Sequence, residues 1–124
     1  MDLIELEYVE VVNEMPTKKS LKFSKELLKQ FYKLESLFVI KVEGESMQPL
    51  IQDSALIVAD LSQVEVINEG IYIVYKENQM WVKQAKIQDE NISFISLNKE
   101  YSHLVFQSNE ARVVARAVLT FTSL

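Results

Sequence analysis

The stretch KVEGESMQPLI, residues 41–51, follows a run of apolar residues typical of a strand. It holds one of only two glycines in the chain, then Ser46, then one of only two prolines. Glycine adopts backbone conformations that other residues avoid, so Gly44 predicts a sharp turn or a close backbone approach at the strand end. Ser46 would then stand at the start of a turn, with MQPLI as a short helical segment.

Two interpretations of Ser46 follow from this placement. Its hydroxyl caps the turn while Met47 fills core space, a common arrangement at helix starts. Alternatively, the hydroxyl is a nucleophile, and the free N–H groups of Ser46 and Met47 form an oxyanion hole for acyl transfer. The stretch by itself leaves both interpretations open.

Outward from this stretch, alternating and continuous apolar runs predict a mostly-β chain. The N-terminal run 3–12 predicts a strand, and Pro16 places a loop in NEMPTKKS. Within FSKELLKQFYK the apolar spacing changes to that of one short helix near residues 24–32, with Ser24 as its N-cap. KENQ, at residues 76–79, predicts a hairpin connection. The remaining predicted strands are 37–43, 55–60, 71–76, 80–87, 91–97 and 111–121.

Composition narrows the class of protein. The 124 residues are enough for one domain, with 48% hydrophobic and 25% charged residues, as in ordinary globular proteins. The absence of cysteine and of a signal-peptide pattern predicts a cytoplasmic protein without disulfides, and no apolar run is long enough to span a membrane. A net charge of −5 disfavours direct DNA binding. No cofactor or metal site is predicted.

A serine nucleophile needs a base, and the sequence offers two. His103 is the lone histidine, with nothing around it that marks a site. In MWVKQAKI, strand alternation places Lys83 on one face with Trp81, Ala85 and Ile87. Burial on such a face lowers a lysine pKa, and a neutral amine can take the serine proton. A lysine that extends past Trp81 to solvent is the alternative.

Several motifs in a fixed order then point to a family. The segments VEGESMQPLI, DSALIVAD, EGIYIVY, WVKQAKI, SLNKEY and VVARAV resemble the C-terminal domain of LexA and of phage lambda-type repressors, the serine–lysine self-cleaving family. The resemblance covers about residues 21–121, with residues 1–20 as the equivalent of the linker and cleavage region and 21–124 as the peptidase and dimerisation domain. It implies a LexA/signal-peptidase-like fold of strongly bent sheets.

The resemblance also implies roles for single residues. Ser46 matches the nucleophile and Lys83, 37 residues later, matches the general base. Supporting positions are Gly44, Glu45, Pro49, Asp60 and Asn98; Gly70, Ser96 and Tyr101 complete the matching motifs. On this basis we expect Ser46 Oγ to lie within hydrogen-bond reach of Lys83 Nζ.

Three positions depart from the family pattern. Glu45 stands where the family has Asp, and Ser54–Ala55 stand where it has Gly–Asp, which removes a turn glycine. Family members cut themselves at an Ala–Gly or Cys–Gly bond before the serine, but the only glycines here are Gly44 and Gly70. We therefore expect a piece of a longer repressor, a separately encoded domain, or a member that cleaves elsewhere or not at all.

The resemblance implies a regulatory and dimerisation domain of a repressor-like transcriptional regulator with a latent Ser–Lys dyad. DNA binding would reside in an N-terminal helix-turn-helix domain outside this chain, and a RecA-type filament would act as inducer in an SOS response. The alternative is a UmuD-like accessory subunit of a translesion DNA polymerase. A signal peptidase shares the dyad but requires a membrane anchor. A homodimer is expected through residues 111–121, where Val113, Ala115, Ala117 and Leu119 alternate with Val114, Val118 and Phe121.

Overall fold

The computed structural model describes residues 2–124, which form two antiparallel sheets; Met1, the first residue of the predicted segment 1–20, lies outside them. A two-stranded sheet pairs β1 with β2, and a seven-stranded sheet has the order β3-β4-β9-β5-β6-β7-β8. The strands are β1 Leu3–Val12, β2 Met15–Ser24, β3 Leu37–Lys41, β4 Leu56–Asp60, β5 Ile71–Lys76, β6 Gln79–Gln88, β7 Asn91–Ile95, β8 Phe106–Gln107 and β9 Arg112–Phe121. The predicted mostly-β class is confirmed.

The buried apolar side chains form three groups, and within each group the side chains pack against one another. The first joins the hairpin β1–β2 to the main sheet, with Ile4 and Phe23 packed on Val39 and Val58. The second lies under the loop 42–55, called here the serine loop because it carries Ser46, and includes Met47, Ile51, Ile57, Ile73 and Ala115. The third contains Tyr72, Val74, Ala85, Phe94 and Phe106. The second and third groups lie along β5 and β6, which is where the candidate site forms.

The predicted helix near residues 24–32 is wrong. The chain forms only a 3₁₀ turn at Lys25–Leu27, capped by the Ser24 hydroxyl, and a second one at Leu34–Ser36. Phe23 instead belongs to β2, where it pairs with Ile4 and packs on the Phe121 ring at 5.5 Å between centroids. Leu28 packs against the core but Phe31 is 78% exposed, so the residues of the expected apolar stripe do not share one buried face. None of the helical segments in residues 2–124 is long and apolar enough to cross a membrane.

The loop predicted for NEMPTKKS is also wrong. Met15–Ser24 is one strand that pairs with all of β1, and Pro16 lies opposite Val11. A two-stranded sheet has only edge strands, so a proline with no N–H is tolerated near the start of β2. The boundary predicted between residues 20 and 21 therefore falls inside a strand.

Three tight hairpins are built without glycine. Their two central residues are Asn13–Glu14, Glu77–Asn78 and Asp89–Glu90, and all six residues have positive φ. Positive φ at both positions is the signature of the type I′ turn, whose twist matches that of the flanking strands. The hairpin predicted at KENQ is confirmed by the pairing of β5 with β6.

Ser54 occupies a backbone position that favours glycine. Its φ is +71°, and its N–H donates to the Val42 carbonyl at 2.9 Å, which closes the serine loop. A left-handed conformation costs a non-glycine residue about 1–2 kcal/mol, so we expect Ser54→Gly to raise the free energy of unfolding by about 1 kcal/mol. Urea denaturation is the measurement. Ser102→Gly is the control, because Ser102 has φ −61° and should gain nothing; equal effects of the two substitutions would contradict the explanation.

β9 lies between β4 and β5, so both of its edges are already paired. The register shifts between Val58 and Ala59 and between Ile73 and Val74 leave Val114 and Val118 as extra residues of β9. The simple alternation predicted for residues 111–121 is therefore wrong, because each bulge reverses the faces. Dimerisation through this strand stays a prediction; it would use the half-buried face of β9, since no edge is free.

Candidate active site

The loop 42–55, between β3 and β4, presents Ser46. Gly44 has φ +98°, and a Cβ added there would meet nothing within 4 Å. Of the two roles predicted for this glycine, the turn is therefore correct and the close approach is not. The Asp53 carboxylate accepts the Gly44 N–H at 2.8 Å, which holds the turn at the end of the strand.

The residues after Gly44 form hydrogen-bonded turns, so the short helical segment predicted for MQPLI is wrong. Gln48 N–H donates to the Glu45 carbonyl at 3.1 Å, and Ile51 N–H donates to the Met47 carbonyl at 3.0 Å. The Met47 and Ile51 side chains are buried in the core, as the simpler of the two interpretations predicted for Met47. Because they anchor the turn from below, Ser46 is left half-buried at the surface beside them.

The N–H groups of Ser46 and Met47 are the predicted oxyanion donors. Among the hydrogen bonds formed within residues 2–124, neither of these two N–H groups is a donor, whereas those of Gly44 and Gln48 on either side are. Two adjacent N–H donors that are not used in these turns are a suitable partner for a developing negative charge.

Lys83 of β6 is completely buried, at 0% exposure. Its Nζ donates to Ser96 Oγ at 2.7 Å and to the Leu104 carbonyl at 2.6 Å. Burial, together with the smaller effect of the positive charge of Lys76, lowers the pKa of Lys83 from 10.5 to about 8. The predicted burial of this lysine beside Trp81 is what the structure shows, and the alternative of a side chain extended to solvent is wrong.

Residues 96–104 hold both halves of the candidate dyad. Asn98 N–H donates to the Ser46 carbonyl at 2.9 Å, and Asn98 Nδ2 donates to the Glu45 carbonyl at 2.9 Å. Ser96 and Leu104 of the same segment accept from Lys83. The serine loop and the lysine are thus fastened to one short piece of chain.

The expected hydrogen bond from Ser46 Oγ to Lys83 Nζ is not among those of the described residues. The two bonds that Lys83 Nζ makes go to Ser96 and Leu104 instead. A direct bond in the apo state is not required, because catalytic hydrogen bonds often tighten only when substrate binds. The pairing of Ser46 with Lys83 stays a prediction.

Ser46 opens into a groove of about 570 Å³. The groove is mostly apolar, and its lining includes Ile40, Val42, Met47, Met80, Trp81, Val82, Tyr101 and Leu104. At the rim, Lys41 forms an ion pair with Glu10 of β1, which ties the hairpin to the groove. Such a shape suits an extended apolar peptide. A larger depression of about 840 Å³, between the start of β1 and residues 28–35, contains none of the candidate site residues.

Several predicted residues lie away from the groove. Asp60 is at the far end of β4, where it accepts hydrogen bonds from Ser62 and Gln63. Burial raises the pKa of Asp60, but these hydrogen bonds outweigh it and the net shift is downward. Asp60 therefore fixes the turn after β4. Gly70 allows close approach to the Tyr72 ring, since an added Cβ would lie 2.8 Å from it, and His103 is exposed.

The remaining supporting residues differ in how they contribute. Glu45 and Pro49 are exposed, and they act through their carbonyls, which accept from Asn98 and Gln52. Sequence reasoning assigned no role to Ser96, although its motif was visible. The Leu104 contact uses a backbone carbonyl, which carries no sequence signal. Among residues 2–124, no group of three or more His, Asp or Glu side chains is arranged to hold a metal ion.

These features define a class: a mostly-β domain in which a buried lysine and a loop serine are fastened to the same segment. The chain belongs to the Peptidase S24-like family, whose model matches residues 8–118. It is also similar to an uncharacterized HTH-type transcriptional regulator of Haemophilus influenzae, at 37% identity over 79 residues. The match covers 63% of this chain and 33% of that regulator, so the matched segment spans about a third of the regulator's length.

Proposed function

We propose that this chain is the regulatory domain of a repressor-like transcriptional regulator and carries a serine–lysine peptidase dyad. Ser46 is the nucleophile and Lys83 is the general base. The observation that carries the proposal is the burial of Lys83, whose Nζ meets two neutral oxygens and is in none of the ion pairs of residues 2–124. A structural lysine in such a place would be expected to have a carboxylate partner.

The chemistry follows from the neutral form of Lys83. A neutral amine has two N–H donors and one lone pair; Ser96 and Leu104 accept from the donors, which leaves the lone pair for the Ser46 proton. Ser46 Oγ attacks the peptide carbonyl carbon as its proton passes to Lys83 Nζ. The N–H groups of Ser46 and Met47 stabilise the oxyanion.

The reaction is then completed by the same two groups. The tetrahedral intermediate collapses as the Lys83 ammonium gives its proton to the leaving amine. Water, deprotonated by Lys83, attacks the acyl–Ser46 ester and releases the acid. The apolar groove beside Ser46 would hold the substrate as an extended peptide.

The regulatory part of the proposal is supported by the Haemophilus influenzae relative, which is named as a transcriptional regulator and is about three times longer than the matched segment. In that arrangement DNA recognition resides outside this domain, as its net charge of −5 also favours. A coding sequence that places a helix-turn-helix before this domain supports the regulator. A neighbouring polymerase gene would instead support the accessory-subunit alternative, which no observation on this chain favours.

The peptidase part is tested with a peptide that contains an Ala–Gly bond, supplied in trans. We expect slow cleavage that increases as the pH rises through about 8, since the neutral form of Lys83 is the base. Ser46→Ala and Lys83→Ala should each abolish it. Lys86→Ala is the matched control, because Lys86 lies on the same strand but faces Glu69. Cleavage that survives in either dyad variant would refute the assignment.

A further inference from the structure

Two lysines share one aromatic ring beside the candidate dyad. Lys76 Nζ lies 4.4 Å from the centroid of the Phe106 ring, and Lys83 Nζ lies 4.5 Å from the same centroid. The two ammonium groups are therefore no more than about 9 Å apart. The proposed mechanism uses Lys83 and leaves Lys76 without a role.

The fold holds Lys76 in this position. In the pairing of β5 with β6, Trp81 lies opposite Val74, and strand alternation puts Lys76 on the face that carries Trp81 and Lys83. The Trp81 indole N–H donates to the Lys76 carbonyl at 3.2 Å. Its ring also meets Phe106 edge to face, with 5.2 Å between centroids. Lys76 is thus packed as part of the wall around Lys83.

The two lysines differ in how well their surroundings stabilise a positive charge. A ring face stabilises a nearby cation, but two cations on one ring repel each other in a poorly solvated environment. The Lys76 side chain is 21% exposed, and its carboxylate partners Glu77 and Glu110 lie 3.8 Å away on the solvent side. Lys76 can keep its charge with the help of water and these carboxylates. Lys83 is completely buried and in none of the ion pairs of residues 2–124, so of the two ammonium groups its charge is the less stable one.

We propose that Lys76 is a positioning residue for the dyad: its ammonium group, held against the Phe106 ring, favours the neutral form of Lys83. The proposal rests on the function proposed for Ser46 and Lys83, and it adds a residue that touches neither substrate nor nucleophile. Consistent with it, burial first and the Lys76 charge second lower the pKa of Lys83.

Other titratable groups around Lys83 are engaged elsewhere. Tyr72, opposite Lys83 on β5, has its hydroxyl bonded to Glu65 and Ile67 backbone groups. Tyr101 lines the groove, and His103 is exposed in the loop that supplies the Leu104 carbonyl. Glu110 faces Lys76 and would reduce its effect. Lys76 is therefore the charged side chain that the ring brings to Lys83.

The direct test is an NMR titration of the Lys83 side chain in protein with ¹³C-labelled lysine, which needs no catalytic activity. The Lys83 signal is assigned by its loss in Lys83→Met. In Lys76→Met we expect the Lys83 titration midpoint to rise by roughly 0.5–1 pH unit. Lys76→Arg keeps the charge and should leave the midpoint unchanged, as should Lys86→Met. Lys76→Gln is a second neutral variant in case Lys76→Met fails to fold.

Peptide cleavage provides an independent measurement. The midpoint of the pH dependence of kcat/KM should rise by the same amount in Lys76→Met, with wild-type rates recovered well above it. An unchanged Lys83 midpoint in a folded neutral variant overturns the inference, as does an equal rise in Lys76→Arg. A raised midpoint in a protein that never cleaves peptide supports the role of Lys76 and refutes the peptidase.

Discussion

We expect the free energy of unfolding of the wild-type protein to rise at alkaline pH because of Lys83. Replacing Lys83 with methionine should remove this rise. The folded-state pKa of Lys83 is lowered from 10.5 to about 8, so between these values the unfolded chain binds more protons than the folded one. Stability therefore rises with pH across this window. Below about pH 8 both states are protonated and the full cost of burying the charge is present. Above about pH 10.5 it is absent.

The expected size makes the effect measurable. The difference in the free energy of unfolding between wild type and Lys83→Met should change in favour of the wild type by about 2–3 kcal/mol between about pH 7.5 and about pH 10. Urea denaturation at each pH gives both values, and the other lysines and the tyrosines cancel in the difference. Lys86→Met is the control and should follow the wild type. If the two variants have the same pH dependence, Lys83 is not a buried base.

Replacing Asn98 with alanine is expected to weaken peptide cleavage by about 10–100-fold without touching the dyad. The Asn98 side chain accepts from Glu100 N–H at 3.0 Å and donates to the Glu45 carbonyl at 2.9 Å. Alanine loses both side-chain bonds, so only the Asn98 backbone N–H, which donates to the Ser46 carbonyl, still fastens the loop to residues 96–104. The free energy of unfolding should fall by about 1–2 kcal/mol.

Asn98→Asp distinguishes the effects of the two side-chain hydrogen bonds, because it keeps one and removes the other. Aspartate still accepts from Glu100 N–H, but it cannot donate to Glu45 and places a negative charge against that carbonyl. It should therefore recover part of the lost stability and none of the cleavage. Hydrogen exchange at Gln48, whose N–H also bonds to Glu45, reports on the loop when activity is too low to measure. Exposed Asn91→Ala is the control. Full activity in Asn98→Asp would show that the hydrogen bond from Asn98 Nδ2 to the Glu45 carbonyl has no functional role.

Much of the sheet could be predicted from local pattern. The alternation in MWVKQAKI placed Lys83 on one face with Ala85 and other apolar residues, and the structure buries Lys83 and Ala85 completely. The missed strand β8 is only two residues long, Phe106–Gln107, which is too short for a periodic signal. Phe106 matters because it reaches Lys83 and Lys76 from β8, which β7 separates from β6 in the sheet, and no local pattern contains such a contact.

The wrong helix prediction at residues 24–32 has a different cause from the missed strand, because here a local signal was present and the fold did not follow it. The apolar spacing there fits a helix, but an isolated helix of nine residues is weak in water. β1 offers ten residues of pairing, and Phe23 gains a buried position against Ile4 and Phe121. Long-range pairing therefore outweighed the local preference.

The sequence by itself determined the mostly-β class, the turn at Gly44 and the strand face on which Lys83 lies, because each depends on neighbours along the chain. Only the tertiary structure decided what Lys83 contacts and what holds Ser46. Ser96, Asn98 and Leu104 meet these residues across separations of 13 to 53 positions, partly through backbone carbonyls. Such contacts depend on how the strands are arranged in space, and every residue type supplies the same carbonyl oxygen.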